Sequence, residues 1–191
     1  MEDVKILAVV GMSGSGKSTV IEYLIERKIP KVYFGGVILE AMKAEGIEIT
    51  PENERKFREE VRAREGKDFV VKRVVDEVNN LIDAGQKRIV LDGLYTWTEY
   101  KVLKKEWPSE ENMVVVAVVL PKNLRHKRVA DRPDRPLSAQ EISCRDWSEI
   151  ENIEKGGPIA NADFYLDNSG TVEDLHESVK RLLHEIEFLK K

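Results

Sequence analysis

Gly11-Met-Ser-Gly-Ser-Gly-Lys17-Ser18 is the stretch that decides how this 191-residue chain folds. The apolar run Ile6-Leu-Ala-Val-Val10 precedes it and Ser18-Thr-Val-Ile-Glu-Tyr-Leu-Ile25 follows, so strand, glycine loop and helix come in the order of a phosphate-binding P-loop. Gly11, Gly14 and Gly16 let the backbone turn its amide N–H groups inward, where they meet the positive end of the helix dipole. Ser13, Ser15 and Thr19 belong to the same cradle. Its natural occupant is an anion. Lys17 is expected to reach the β- and γ-phosphates of ATP and to act in catalysis, and the Ser18 hydroxyl is expected to ligate Mg2+. A plain glycine turn would need neither the lysine nor the serine.

Outward from this loop, further apolar runs read as buried parallel strands: Lys31-Val-Tyr-Phe34, Arg88-Ile-Val-Leu91, Met113 to Leu120, and Phe164-Tyr-Leu166. Helical patterns lie between them. Thr50-Pro51 opens one helix, and Asp68 caps another that runs from Phe69 to Ala84 and stops at Gly85. Ser138-x-x-Glu141 is a capping box whose helix is expected to stop at Gly156-Gly157-Pro158. Thr171 opens the last helix, with Val172, Leu175, Val179, Leu182 and Leu183 on its apolar side. Strands alternating with helices imply an α/β three-layer sandwich, a roughly five-stranded parallel sheet with helices on both faces. One domain over 1–191 is expected, with an acceptor-binding segment at about 35–68 and a mobile lid at about 121–138.

Hydrophobic residues at 41% suffice for a sizeable core, and a net charge of −4 gives no general case for nucleic-acid binding. No stretch has the layout of a signal peptide or the length of a membrane span, and the single Cys144 excludes an internal disulfide. These features suit a cytoplasmic protein with no nucleic-acid or membrane partner; they leave the oligomeric state open.

Asp92 ends the third strand beside the P-loop, where its carboxylate is expected to hold Mg2+ directly or through water. An Asp-Gly turn is the bland alternative. Pro121 to Pro136 carries Lys122, Arg125, Lys127, Arg128, Arg132 and Arg135 against Asp131 and Asp134, a local +4 in an acidic chain. Arg125, Arg128 and Arg132 share one helix face, which suits a lid closing on a triphosphate, with Arg128 at the transferred group. Arg55, Arg58 and Arg62 repeat that spacing and are candidates for the acceptor's phosphate, although Glu54, Glu59 and Glu60 stand near enough to pair with them. Gly36 falls in the same acceptor-binding segment. Tyr95, Trp97 and Tyr100 offer stacking surfaces for a base, or simple packing. His126, His176 and His184 have no partners at catalytic spacing and receive no role.

The P-loop, Leu91-Asp92-Gly93, the arginine-rich segment and Ala162-Asp-Phe-Tyr-Leu-Asp-Asn168-Ser-Gly170-Thr171 together resemble the P-loop nucleotide kinases, especially the adenylate-kinase-related and dephospho-coenzyme-A-kinase-like proteins. The resemblance implies a P-loop NTPase fold, ATP with Mg2+, and a small phosphate- or hydroxyl-bearing acceptor. It also implies that Asp92 sits at the metal, that Arg125, Arg128 and Arg132 embrace the phosphates, that Asn168 and Gly170 border the adenine, and that Arg145 is a further phosphate contact. Two departures shape the acceptor. Dephospho-coenzyme-A kinases carry an aspartate pair after the second strand, whereas this chain has Phe34-Gly35-Gly36-Val37 and no carboxylate before Glu40. A hydroxyl acceptor benefits from a general base and a phosphate does not, so a nucleotide-like phosphate is the expected acceptor and a hydroxyl the alternative. Adenylate kinases place an arginine where Tyr95 stands, which argues against adenylate itself. A nucleotide-dependent switch is the rival of another class; the chain lacks the Asn-Lys-x-Asp motif of a GTPase.

Overall fold

The computed structural model describes residues 3–109, 111–133 and 136–189. Asp134 and Arg135 of the basic segment lie outside the described residues, as does the side chain of Arg55. Five strands form one sheet: β1 (Lys5–Val10), β2 (Lys31–Tyr33), β3 (Arg88–Asp92), β4 (Met113–Val119) and β5 (Phe164–Asp167). Their spatial order is β2-β3-β1-β4-β5, with every neighbouring pair parallel.

Burial explains the apolar runs. Along β1, Ile6, Ala8 and Val10 face one layer while Leu7 and Val9 face the other, and none of the five is exposed. The first layer is made by α2 (Phe34–Ala44), α4 (Phe69–Asp83) and α5 (Trp97–Glu106), through Val37, Val71, Val74, Val78 and Leu103. The second is made by α1 (Lys17–Ile25) and α9 (Val172–Glu185), through Val20, Leu24, Leu175, Val179 and Leu183. A central strand packed on both faces has no position free for a polar residue. Truncating Leu7 or Ile89 to alanine is accordingly expected to cost about 2–5 kcal/mol. A smaller cluster of Ile38, Met42, Phe57, Val61 and Phe69 fastens α3 (Pro51–Glu65) to α2 and α4.

Several local expectations shift. The second strand is an edge and stops at Tyr33, with Phe34 opening α2 directly. Only Val32 is buried there; Lys31 and Tyr33 are exposed, because an edge strand has less to cover it. Helix α7 (Ala139–Glu151) ends before the glycine pair, and a separate turn of helix, α8 (Gly156–Ala160), begins there. Glu154, with φ 56°, makes the break between them. Val172 is half exposed rather than on the apolar side of α9. Thr50, Ser138 and Thr171 all cap as their sequence contexts require, whereas the Asp68 side chain makes no cap bond.

The topology positions the site. β1 has β3 on one side and β4 on the other, so the loop leaving its carboxyl end opens at the point where the strand order reverses. Asp92 pairs in register with Val9 on the strand that feeds this loop.

Candidate active site

Gly16 caps α1 with φ 100°, and a β-carbon there would lie 2.1 Å from Asn168 Nδ2. That amide donates to Ser15 O at 2.8 Å, so the loop after β5 clamps the P-loop from one side. Helix α6 (Lys122–Ala130) clamps it from the other: a β-carbon on Gly14 would meet Val129 Cγ2 at 2.3 Å. The glycines permit positive φ and, equally, let two neighbouring elements reach the backbone.

The arginines of α6 divide between two tasks. Arg125, expected on the phosphates, is 6% exposed and donates to both carboxylate oxygens of Asp146 (2.7 and 2.6 Å) and to Ser13 O (3.0 Å). Its register, four residues before Val129, places it beneath the P-loop rather than in the opening. His126 joins the same carboxylate through Nε2 at 2.7 Å. Burial opposes the charge of Asp146, but these hydrogen bonds outweigh it and hold the carboxyl below its ordinary range. Arg128 donates to the carbonyl oxygens of Asn168 and Gly170 and lines the cavity; Arg132 lines it too, but from beyond the end of α6 at Ala130 rather than from the shared helix face that the spacing predicts. Helix α6 is thus an anchor of the P-loop as much as a cover.

The cavity holds about 720 Å³ between the P-loop, the ends of β2 and β3, and α7. Ser13, Gly14, Gly16, Lys17, Ser18 and Thr19 form its floor, with Asp92 and Tyr95 opposite and Asn168 and Gly170 at the α9 side. Gly11 and Ser15 lie buried behind the floor, where Ser15 Oγ finds no hydrogen-bond partner among the described residues. Lys17 Nζ donates to Gly11 O (2.8 Å) and Met12 O (3.0 Å). Burial, reinforced by the nearby charge of Lys155, lowers its ammonium from 10.5 to about 8, with Glu149 and Asp92 acting the other way. Ser18 and Asp92 line the same cavity and offer hydroxyl and carboxylate oxygen, a donor set that suits Mg2+, which keeps several waters and takes further oxygens from phosphates. Among the described residues there is no cluster of three or more His, Cys, Asp or Glu that could hold a metal by itself.

Of the acceptor candidates, Tyr95 and Arg145 line the cavity. Burial raises the Tyr95 hydroxyl well above its ordinary value, so the ring is a neutral surface at any physiological pH. Arg58 is bound to Glu54 one helical turn back, Arg62 is exposed on the same helix, and neither borders the cavity; nor does Gly36. Trp97 and Tyr100 stack on each other at 4.9 Å and pack towards α8.

Seven lining residues had no site role in the sequence reading: Thr171, Val172 and Leu175 at the start of α9, and Lys31, Tyr33, Glu149 and Lys155. Lys31 and Tyr33 project from the edge strand β2, and Lys31 Nζ lies 3.6 Å from Asp92 Oδ2. Glu149 is 5% exposed; its Oε2 accepts from Ser13 N at 2.9 Å, and its Oε1 lies 3.0 Å from Lys155 Nζ and 3.5 Å from Arg145 Nε. Burial disfavours the Glu149 carboxylate, but Lys155, the Ser13 amide and Lys17 outweigh it and lower its pKa. The four-residue step from Arg145 to Glu149 was a visible signal; Lys155 had none. Among the described residues no helix is long and apolar enough to cross a membrane.

The AAA domain family matches residues 7–154. A UPF0200 protein of Thermococcus kodakarensis is 35% identical over 183 residues, covering 95% of this chain and 97% of that protein. Another, from Sulfurisphaera tokodaii, is 32% identical over 189 residues, covering 97% and 99%. Among solved structures, TT1252 from Thermus thermophilus superposes with a TM-score of 0.57 at 24% identity, covering 96% of this chain and 98% of that one. Shikimate kinase from Bacteroides thetaiotaomicron gives 0.59 at 10% identity, with 96% and 98% covered. Identities this low speak to a shared fold alone, the P-loop NTPase fold.

Proposed function

This chain belongs to the AAA domain family and to the UPF0200 proteins, and we propose that it is an ATP-dependent phosphotransferase whose acceptor is itself a phosphate on a small, nucleotide-like molecule. The observation that carries the reading is the charge of the cavity. Among the described residues that line it, Lys17, Lys31, Arg128, Arg132, Arg145 and Lys155 stand against Asp92 and Glu149, a net of +4 inside a chain of −4. ATP with Mg2+ carries about −2 and a phosphate monoester nearly another −2. The two together match the cavity; ATP and a neutral hydroxyl compound leave it half balanced. Both lining carboxylates are also committed, Glu149 to the Ser13 amide and Lys155, and Asp92 to Lys31 and the proposed metal. Among the described lining residues that leaves no free carboxylate base for a hydroxyl, and a phosphate acceptor needs none. Tyr33 and Tyr95 supply aromatic faces for the acceptor's flat part.

In this mechanism the P-loop amides and Lys17 hold the β- and γ-phosphates, while Asn168 and Gly170 border the adenine. Ser18 and Asp92 would hold Mg2+, which would supply neutralisation of the triphosphate's charge. The bond from the γ-phosphorus to its bridging oxygen breaks, a bond to an acceptor phosphate oxygen forms, and ADP leaves. Arg128, Arg132 and Arg145 stabilise the charge spread over the transferred group, so catalysis is positioning and electrostatics.

Release of ADP, followed with a panel of nucleoside monophosphates and with dephospho-coenzyme A, tests this directly. A phosphate acceptor is expected to stimulate release. Turnover of dephospho-coenzyme A alone would overturn the acceptor class, and equal hydrolysis with and without every acceptor would overturn phosphotransfer in favour of a nucleotide switch.

A further inference from the structure

We propose that Lys155 is a second cation on the transferred phosphoryl group, working beside Lys17, and that Glu149 is the residue that positions it. The inference rests on the phosphotransfer reading above. Nothing in the amphipathic pattern of α7 or α8 calls for a buried lysine at this point, yet the Lys155 side chain is only 4% exposed. The backbone is bent to bring it there. Glu154 occupies the left-handed region at φ 56°, a conformation that a residue with a β-carbon adopts only at a cost, and Lys155 N then donates to Glu149 O at 3.0 Å. Such strain persists where the surroundings need the conformation, and here its effect is to turn Lys155 from solvent into the cavity wall.

Lysine side chains normally keep their ammonium in water, and removing one is costly unless an anion compensates. Glu149 compensates in part. Its carboxylate is divided among Lys155 (3.0 Å), the Ser13 amide (2.9 Å) and Arg145 (3.5 Å). Three donors share one negative charge, and an ammonium has three N–H groups to place. The surplus positive charge faces the cavity, where a phosphoryl group would complete it.

Position decides which phosphoryl. The carboxylate that holds Lys155 is bonded to a P-loop amide, so the ammonium is registered to the loop that cradles the β- and γ-phosphates. It also lies 4.8 Å from the centroid of the Tyr95 ring, which lines the same cavity and is assigned above to the acceptor's flat part. Its charge is also felt at Lys17, whose ammonium it helps to depress. Lys155 therefore stands between donor and acceptor; burial lowers its pKa while Glu149 acts the other way, and a phosphate anion beside it favours the charged form. The competing explanation is a staple, an ion pair that merely fastens α7 and α8 to the P-loop.

Titration calorimetry with Mg2+·ATP and Mg2+·ADP separates the two and needs no acceptor. Lys155→Met, which keeps the length and apolar stem, is expected to bind ADP within about threefold of wild type and ATP about 10- to 100-fold more weakly, the worth of a charged hydrogen bond. Lys155→Arg should recover part of that loss. Equal weakening of both nucleotides, or no weakening, would overturn the proposal in favour of the staple. Where Lys155→Met fails to fold by circular dichroism, Glu149→Gln carries the same test, because it keeps the acceptor for Ser13 N and removes the positioning charge; selective loss of ATP supports the proposal and equal loss refutes it. A wild-type protein that transfers phosphate to nothing in the acceptor panel would sink the phosphotransfer reading while leaving this comparison interpretable.

Discussion

Replacing Lys17 by methionine should abolish phosphoryl transfer, and at neutral pH it should make the protein more stable. The ammonium is buried in the P-loop, and its pKa falls from 10.5 to about 8, chiefly through burial and then through Lys155. At about 1.36 kcal/mol per pH unit, that difference is a cost of about 3 kcal/mol to the folded state. The folded value lies below the unfolded one, so between about 8 and 10.5 the unfolded chain still holds a proton that the folded chain has released. The cost is fully present below about 8, and stability rises with pH through that window. Methionine removes it but also removes two hydrogen bonds, to Gly11 O and Met12 O, worth about 1 kcal/mol each. The expected net is a gain of about 1 kcal/mol at pH 7. At about pH 10 the wild-type amine is neutral in the fold and still donates both bonds, so the variant becomes the less stable of the two by about 1 kcal/mol. Urea unfolding followed by tryptophan fluorescence at the two pH values measures the difference directly, and titration of the other lysines cancels between the two proteins. A variant less stable at pH 7, or a difference that does not change with pH, would refute the assignment of Lys17 as a buried, destabilised cation.

The same depressed ammonium predicts that nucleotide binding at about pH 8.5 takes up a proton, because phosphate restores the charged form; calorimetry in two buffers of different ionisation enthalpy measures the uptake, and zero uptake would contradict Lys17 as the phosphate contact. Arg125→Met should destabilise the fold by about 3–5 kcal/mol by leaving Asp146 buried without its bidentate partner, a loss readable as a lower urea midpoint. Arg128→Lys keeps the charge but cannot span the carbonyls of Asn168 and Gly170 as a guanidinium does, so turnover and ATP affinity should both fall, with Lys127→Ala, on the exposed side of α6, nearly silent in the same kinetics. A Lys127→Ala loss as large as that of Arg128→Lys would sink the assignment.

The parallel sheet was legible because a strand buried on both faces has no alternation to disguise it, and Leu7, Val9, Val115 and Val116 could sit nowhere else. The caps at Thr50, Ser138 and Thr171 were legible for a similar reason, since a side chain that answers an amide three residues on is a local fact. Edges were harder. Whether Lys31-Val-Tyr33 is covered depends on which strands lie beside it, and no residue within the segment records that β2 has a neighbour on one side only.

Charge in the site followed the same division. Gly11 to Ser18 could be read because strand, glycine turn and helix start are contiguous in the chain, and Ser13, Gly14, Gly16, Lys17 and Ser18 come to line one cavity within a single turn. The arginines of the basic segment could be counted but not assigned: helical spacing predicts a common face for Arg125, Arg128 and Arg132, whereas α6 ends at Ala130, before Arg132, and the depth of the other two follows from what packs against them. Arg125 goes inward because Asp146, 21 residues on, waits there, and Arg128 is drawn to carbonyls 40 and 42 residues away. Glu149 and Lys155 are the extreme case. A glutamate facing the Ser13 amide 136 residues earlier has no local signature, and Lys155 beside Gly-Gly-Pro reads as a solvated loop end until Glu154 is seen to turn the chain back. A P-loop advertises how a phosphate is held. The cations on the other walls are set by tertiary distance, so the chemistry of the proposed acceptor has to be read from the walls of the cavity rather than from its floor.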